Sequence, residues 1–428
     1  MRRRTAISRR KNERGVIITL VAMFMLFVVG AMAALAIDVV SLYTARSEAQ
    51  LAADSAALTA ARVLANSGMT SSTDPLLASN AQTLASTIAT QVAETNQVGG
   101  TNLTAAQINV TFPTSSQQNP HVTVQITSNI PTFFSRIWGR TQLQVKASAT
   151  AEAYNSSGLA LGALGGPAPP PAPTCVKPWV LPNIDPTGNQ MFTTATGAIN
   201  NSALVGWTDP NPYPNYMFHR LRPTQTPIAW QYYEGDQTSF PAPTSALPTC
   251  GFGAPDPYQT SIVGCVQVPI TCGSTVNLNQ TPDTNFRSAE AVNCLTHSTA
   301  GVAGDGDSIY QNPYGGTDEP FQFLGGTNNP VAGAIDNQIL VSDSLVTVPV
   351  YDNAGVSGAP GTTPVTIIGF VQLFLNSDGT GTLTTGPSAG HIKTTIVNMV
   401  GCGTSASGPP YVYGNGPSAV PVRLITPP

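Results

Sequence analysis

Only 9 % of the 428 residues are charged, against roughly a quarter in ordinary soluble proteins, and 39 Gly with 37 Pro mark a turn-rich, β-rich chain rather than a cytosolic enzyme. A hydrophobic share of 41 % excludes a disordered polymer. The net charge of −4 hides an asymmetry, because seven of the 18 basic residues are Arg2, Arg3, Arg4, Arg9, Arg10, Lys11 and Arg14.

An apolar run follows that basic tail at once, so topology explains the charges better than nucleic-acid binding does. Val16 to Ile37 is broken only by Thr19 and Gly30. As a helix these residues extend about 33 Å, enough to cross a hydrocarbon core of about 30 Å. Residues 1–14 are then a cytoplasmic tail, 15–38 a transmembrane anchor, and everything beyond Asp38 lies across the membrane. A cleaved signal peptide is the rival reading, since Ala31-Met32-Ala33 and Ala34-Leu35-Ala36 are small-x-small sites. The run exceeds the about 7–15 residues of a signal core, and the helical pattern continues past Asp38. The anchor is therefore read as uncleaved.

Val39 to Leu64 contains neither Pro nor Gly, and the two segments read as one helix ended by Asn66, Ser67 and Gly68. Leu42, Ala45, Ala49, Ala52, Ala56, Ala60 and Val63 recur at steps of three and four and form a seam on one helix face. Small side chains let another backbone approach closely. That backbone belongs either to copies of this chain or related subunits, or to this chain's own sheet, and the sequence leaves both open. Arg46, Gln50 and Asp54 step along a neighbouring polar face.

Gly15, the apolar span, Ala36-Ile37-Asp38-Val39-Val40-Ser41-Leu42-Tyr43-Thr44-Ala45-Arg46 and Gln50-Leu51-Ala52-Ala53-Asp54-Ser55-Ala56-Ala57-Leu58 together resemble the N-terminal segment of TadG-like proteins. These are accessory proteins of Flp (tight adherence) pilus systems. The family-motif positions are Gly15, Asp38, Arg46, Gln50 and Asp54. Prepilin-type processing pairs a Gly at the cleavage point with a Glu five residues on, where this chain has Leu20. The resemblance therefore implies an assembly factor or anchored surface protein rather than a filament subunit.

Residues 39–155 read as a helix-plus-sheet module. A second helix is predicted over 75–97, with Leu77, Ala81, Leu84, Ile88 and Val92 on one side. Strands are predicted over 108–112, 121–126 and 143–151 from their alternation. A short helix is predicted between Pro131 and Trp138, with Phe133, Phe134, Ile137 and Trp138 as core material. His121 reads as a half-buried strand residue, not a ligand. Residues 156–174, rich in Gly and then Pro, are predicted to be a linker.

Beyond it, 175–428 is expected to be a β-rich exported module, with strands over 345–351 and 365–375 and an apolar stretch over 392–400. All six cysteines lie there: Cys175, Cys250, Cys265, Cys272, Cys294 and Cys402. An even number in an exported segment predicts disulfides, with connectivity left open. Cys294 and His297 alone do not complete a zinc site.

Three chemical motifs fail on their details. Gly386-Pro387-Ser388-Ala389-Gly390, followed by His391, matches G-x-S-x-G, but a Pro inside the turn and antiparallel surroundings oppose a hydrolase elbow. Asp343-Ser344-Leu345 has Leu where a D-x-S-x-S metal site needs Ser at the third position. Asp305, Asp307, Asp318 and Glu319 do not fit a calcium loop and read as solvated loop acids. No G-x-x-x-x-G-K or aromatic-basic pattern supports nucleotide or RNA binding.

The expected fold class is α+β: one long N-terminal transmembrane helix packed on a small antiparallel sheet, then a β-rich, disulfide-containing module. The expected function is non-enzymatic scaffolding or tethering in Flp pilus assembly, outside the bacterial cytoplasmic membrane. The alternative is an anchored adhesin or glycan-binding protein, with a hydrolase third. Expected partners are the membrane and other pilus assembly proteins or copies of this chain, with no cofactor, catalytic residue, nucleic acid or small-molecule substrate.

Overall fold

The structure, a computed structural model, describes residues 11–113, 117–157, 170–184, 190–194, 196–200, 219–220, 231–243, 256–279, 287–298, 304–310, 319–331, 333–335, 337–353, 364–375, 392, 394–402, 412–413 and 418–425. Two compact units emerge, one made of residues 1–56, 90–110 and 124–149, the other of 57–89, 111–123 and 150–428.

Helix α1 runs unbroken from Lys11 to Asn66. The sequence from Val39 to Leu64 supplies no breaker, and Gly30 alone is too weak to interrupt a strongly apolar helix. Gly68, at φ +83°, adopts the left-handed conformation just past the helix end. A β-carbon there would stand 2.9 Å from the Phe321 ring, so both backbone and packing call for Gly. Helix α2, Pro75–Glu94, follows. Its Leu77, Ala78, Ala81, Ala85, Ala89 and Ala93 are buried.

Strands β1 (Ile108–Thr111), β2 (His121–Pro131) and β3 (Gln142–Ala153) lie side by side in that order in one sheet. The Thr132 N–H donates to the Thr141 carbonyl at the hairpin base, and the Thr123 and Thr150 hydroxyls meet at 2.8 Å in the second unit. Alternation along β2 buries Val124, Ile126, Ser128 and Ile130, as a one-sided sheet requires. α1 lies against this sheet, with the Gln50 amide donating to the Ser148 carbonyl on β3. The Gly99 N–H, in the turn between short paired strands Gln97–Val98 and Thr101–Asn102, donates to Glu48 at 2.7 Å.

The segment between β2 and β3 departs from expectation. It forms a single 3-10 turn, Ser135–Trp138, and Phe133, Ile137 and Trp138 are 69 %, 76 % and 60 % exposed. They are not core residues. Among the described residues no apolar layer covers the hairpin tip.

The second unit is built on a mixed sheet. Its strands include β4 (Trp179–Pro182), β5 (Gln231–Glu234), β6 (Leu345–Tyr351), β7 (Val365–Leu375) and β8 (Thr394–Gly401). β7 pairs antiparallel with both β6 and β8, β6 pairs parallel with β4, and β4 pairs antiparallel with β5. Helices α3 (Pro257–Val263) and α4 (Arg287–Thr296) contribute Tyr258, Ile262, Val292 and Leu295 to a core with Trp179, Phe192, Val348, Leu373 and Met399. Each such side chain contributes about 1.5–3 kcal/mol when fully buried. A smaller cluster stacks Phe323 on Phe374, ring centres 5.2 Å apart. The last strand, β9 (Val422–Ile425), pairs antiparallel with Thr150–Ala153 of β3.

Cys175 bonds Cys265 and Cys272 bonds Cys402. Cys294 is also disulfide-bonded, and Cys250 lies outside the described residues. The centre of the predicted linker, 158–169, lies outside them too. On its near side Ser156 donates to the Gly401 carbonyl, and the Ser157 hydroxyl accepts from the Gly401 N–H.

Candidate functional site

No metal-ligating cluster of three or more His, Cys, Asp or Glu occurs among the described residues. The features that remain are the surface of α1, the groove beside it and the hairpin tip at the end of its apolar run. Val16 to Val40 present large apolar side chains to the exterior: Phe24, Leu26 and Phe27 are 63 %, 77 % and 73 % exposed. The most apolar stretch of this helix has a mean hydropathy of 2.7 with none of it buried, so α1 is long and apolar enough to cross a membrane. Gly15 lies within the helix, with open space where a β-carbon would stand.

Asp38 follows the apolar run directly and is itself buried. Its carboxylate accepts from the N–H groups of Phe133 at 2.9 Å, Phe134 at 3.1 Å and Ser135 at 2.7 Å, and from the Ser135 hydroxyl at 2.6 Å. Both carboxylate oxygens accept, Oδ1 from Phe133 and Oδ2 from Phe134 and Ser135. Removal from water would otherwise leave the charge uncompensated. The result fixes the β2–β3 tip beside the helix at the end of its apolar run.

Over the next two turns or so, Val39, Leu42, Tyr43 and Arg46 of α1 face Leu143, Gln144, Val145 and Lys146 of β3 across an open groove of ≈ 590 Å³. Arg46 and Lys146 are exposed at its rim. Gln50 donates to Asp54 at 2.8 Å as well as to β3, which joins the polar stripe to the sheet.

The alanine seam is covered within the single chain. Ala45, Ala49, Ala52, Ala56, Ala60 and Val63 are all buried, and Leu42 is half-buried. The exposed side of this helical stretch carries Tyr43 and Leu51 instead, 71 % and 66 % exposed.

Other candidates resolve into structural roles. His121 is half-buried and 3.3 Å from Glu152, which also accepts from Arg423. His297, just past α4 at φ +54°, meets Asp343 at 3.0 Å. Hydrogen bonding to Asp343 raises the His297 pKa, and the same bond lowers that of Asp343. Burial pushes the Lys177 amine down to about 8, although it donates to the Ile262 and Gly264 carbonyls. Asp305 and Asp307 are buried rather than solvated. Asp307 accepts from the Gly326 N–H, the Asn329 amide and the Ser342 hydroxyl. Gly386 to His391 and Asp318 lie outside the described residues.

Sequence reasoning missed a polar network in the second unit. Asn398 of β8 donates to the Ala65 carbonyl at the end of α1 and to Gln372, and it accepts from the Thr70 hydroxyl at 2.8 Å. Asn155 donates to the Thr70 and Met399 carbonyls. A buried Asn in an otherwise apolar strand pattern was the available signal.

Residues 15–63 match the Tad family model, described as Flp pilus-assembly TadE/G-like. No curated protein and no solved structure gives a significant match. The matched stretch holds Asp38, Arg46, Gln50 and Asp54, and over it the chain is similar to TadE/G-like pilus-assembly proteins.

Proposed function

We propose that this chain is a membrane-anchored, non-enzymatic component of a Flp-type pilus assembly system, acting as a scaffold or tether outside the cytoplasmic membrane. The observation that carries the reading is the division of α1. Its first part, Val16 to Ile37, is apolar and largely exposed, whereas its alanine-rich part from Ala45 is buried in the chain's own fold. One helix thus joins a lipid-compatible rod to a folded body. The family match covers this same helix. The basic residues from Arg2 to Arg14 favour a cytoplasmic N-terminus, and the disulfides favour an oxidising exterior for the rest.

Scaffolding follows from what the helix offers once its seam is used internally. Tyr43, Leu51 and the groove with Arg46 and Lys146 remain open to other assembly proteins or to a second copy. Deleting the gene and complementing it tests the reading. Loss of surface pili, restored by the full chain and not by a chain with Phe24 and Phe27 replaced by Arg, supports it. Normal pili with reduced surface attachment would replace it by the adhesin reading. Normal pili with normal attachment would remove both.

A further inference from the structure

We propose that the β2–β3 tip, Phe133 to Arg140, is a second membrane contact, seated in the outer headgroup layer of an anionic phospholipid bilayer. The inference rests on the reading of α1 as a membrane span and adds a distinct surface to it.

Position is the first argument. Val16 to Ile37 covers about 33 Å as a helix, so Asp38 falls where such a span leaves the hydrocarbon. The Asp38 carboxylate binds three consecutive N–H groups of the tip, Phe133 to Ser135. The tip therefore sits at the level of the lipid headgroups, with its depth fixed by those bonds.

Composition is the second. Three large apolar side chains, Phe133, Ile137 and Trp138, are exposed within six residues. Elsewhere in the described part of the chain, aromatic side chains of the sheets are mostly buried, among them Phe192, Phe323, Phe370 and Phe374. Trp and its aromatic neighbours prefer the membrane–water boundary, where an apolar ring and a polar edge are both satisfied.

Charge is the third. Between Pro131 and Arg140 there is no acidic residue, while Arg136 and Arg140 are exposed beside the apolar side chains. Arg46 and Lys146 line the groove of the same unit. Cations flanking an apolar wedge match anionic phosphates above an acyl layer. The burial of Asp38 gains a reason as well. At the edge of the hydrocarbon an aspartate must be fully hydrogen-bonded, and the tip supplies the donors.

The test uses the full chain reconstituted in vesicles of phosphatidylethanolamine and phosphatidylglycerol. Spin labels are placed singly at Ile137→Cys, at Met23→Cys in the apolar run and at Leu76→Cys, which is 58 % exposed on α2. Collision with oxygen and with an aqueous nickel chelate reads depth. The expected oxygen-to-nickel ratio at position 137 is several-fold above that at 76 and below that at 23, and Arg136→Glu with Arg140→Glu lowers it toward the aqueous value. A ratio at 137 equal to that at 76, with 23 deep in lipid, overturns the second contact and leaves the span intact. A label at 137 shielded from both reagents points to a protein partner and also overturns it. An aqueous reading at 23 removes the span, and the proposal with it.

Discussion

Asp38 and Ser135 stand 97 residues apart, yet the Asp38 carboxylate accepts two hydrogen bonds from Ser135, one from its N–H at 2.7 Å and one from its hydroxyl at 2.6 Å. The aspartate at the end of the apolar run is thus a structural clasp. It couples the helix that emerges from the run to the tip of the β2–β3 hairpin, and each element limits the movement of the other.

Replacing Asp38 by Ala leaves the N–H groups of Phe133, Phe134 and Ser135 without that acceptor. Amide hydrogen exchange across 132–141 should accelerate strongly in Asp38→Ala and less in Asp38→Asn, whose amide oxygen still accepts. Ser135→Ala, which loses only the hydroxyl bond, should show the smallest change. Equal protection in all three would mean the tip is held by something else.

Ala49 and Ala56 have no exposed surface. Leu at either position overfills a closed interface and should cost about 1–3 kcal/mol. Leu51→Ala, on the exposed side of the same helix, should change stability by less than about 0.5 kcal/mol. Guanidinium unfolding of the detergent-solubilised chain measures both. Undiminished stability with Leu in the seam would show that its neighbours move aside freely.

Asn398→Ala strips the Ala65 carbonyl, the Thr70 hydroxyl and Gln372 of one partner each. Unmet buried polar groups cost about 1–3 kcal/mol apiece, so a loss of about 3 kcal/mol is expected once relaxation is allowed for. A lowered urea midpoint with an unchanged slope is the signature. A midpoint equal to the parent's would show that the network adds nothing to stability.

The His297–Asp343 pair carries a pH signature. The raised His297 pKa adds stability that is fully present below its unfolded value of about 6.5 and is lost as pH rises through the folded value. The lowered Asp343 pKa adds stability present above its unfolded value of about 3.8 and lost as pH falls through the folded value. His297→Asn keeps a residue that tolerates the left-handed backbone and removes the titration. The parent's advantage over this variant should peak between about pH 4 and 6.5 and shrink above and below. A difference independent of pH would show that the pair is not ionised.

Local patterns made much of the fold legible. A breaker-free apolar helix, alternation over 121–126 and 143–151, and strands at 345–351 and 365–375 need only neighbours along the chain to be read. The misses share a physical cause, which is distance. Asp307 reads as a turn acid because its donors, Gly326, Asn329 and Ser342, come 19 to 35 residues later. Asn398 finds Thr70 across 328 residues. Phe133, Ile137 and Trp138 look like core because a sequence does not state which solvent faces a side chain. The seam was legible as a packing surface, but its spacing is the same for a foreign helix and for the chain's own sheet.

Orientation across the membrane is the most direct measurement of the anchored arrangement. The full chain would carry one epitope before Met1 and another after Pro428, expressed in a bacterium with a Flp-type pilus system. Antibody on intact spheroplasts should detect the C-terminal epitope alone, and the N-terminal one should appear only after the membrane is opened, with both on a single membrane-bound band. A C-terminal epitope hidden until lysis, or a full-length chain recovered in the soluble fraction, would contradict it.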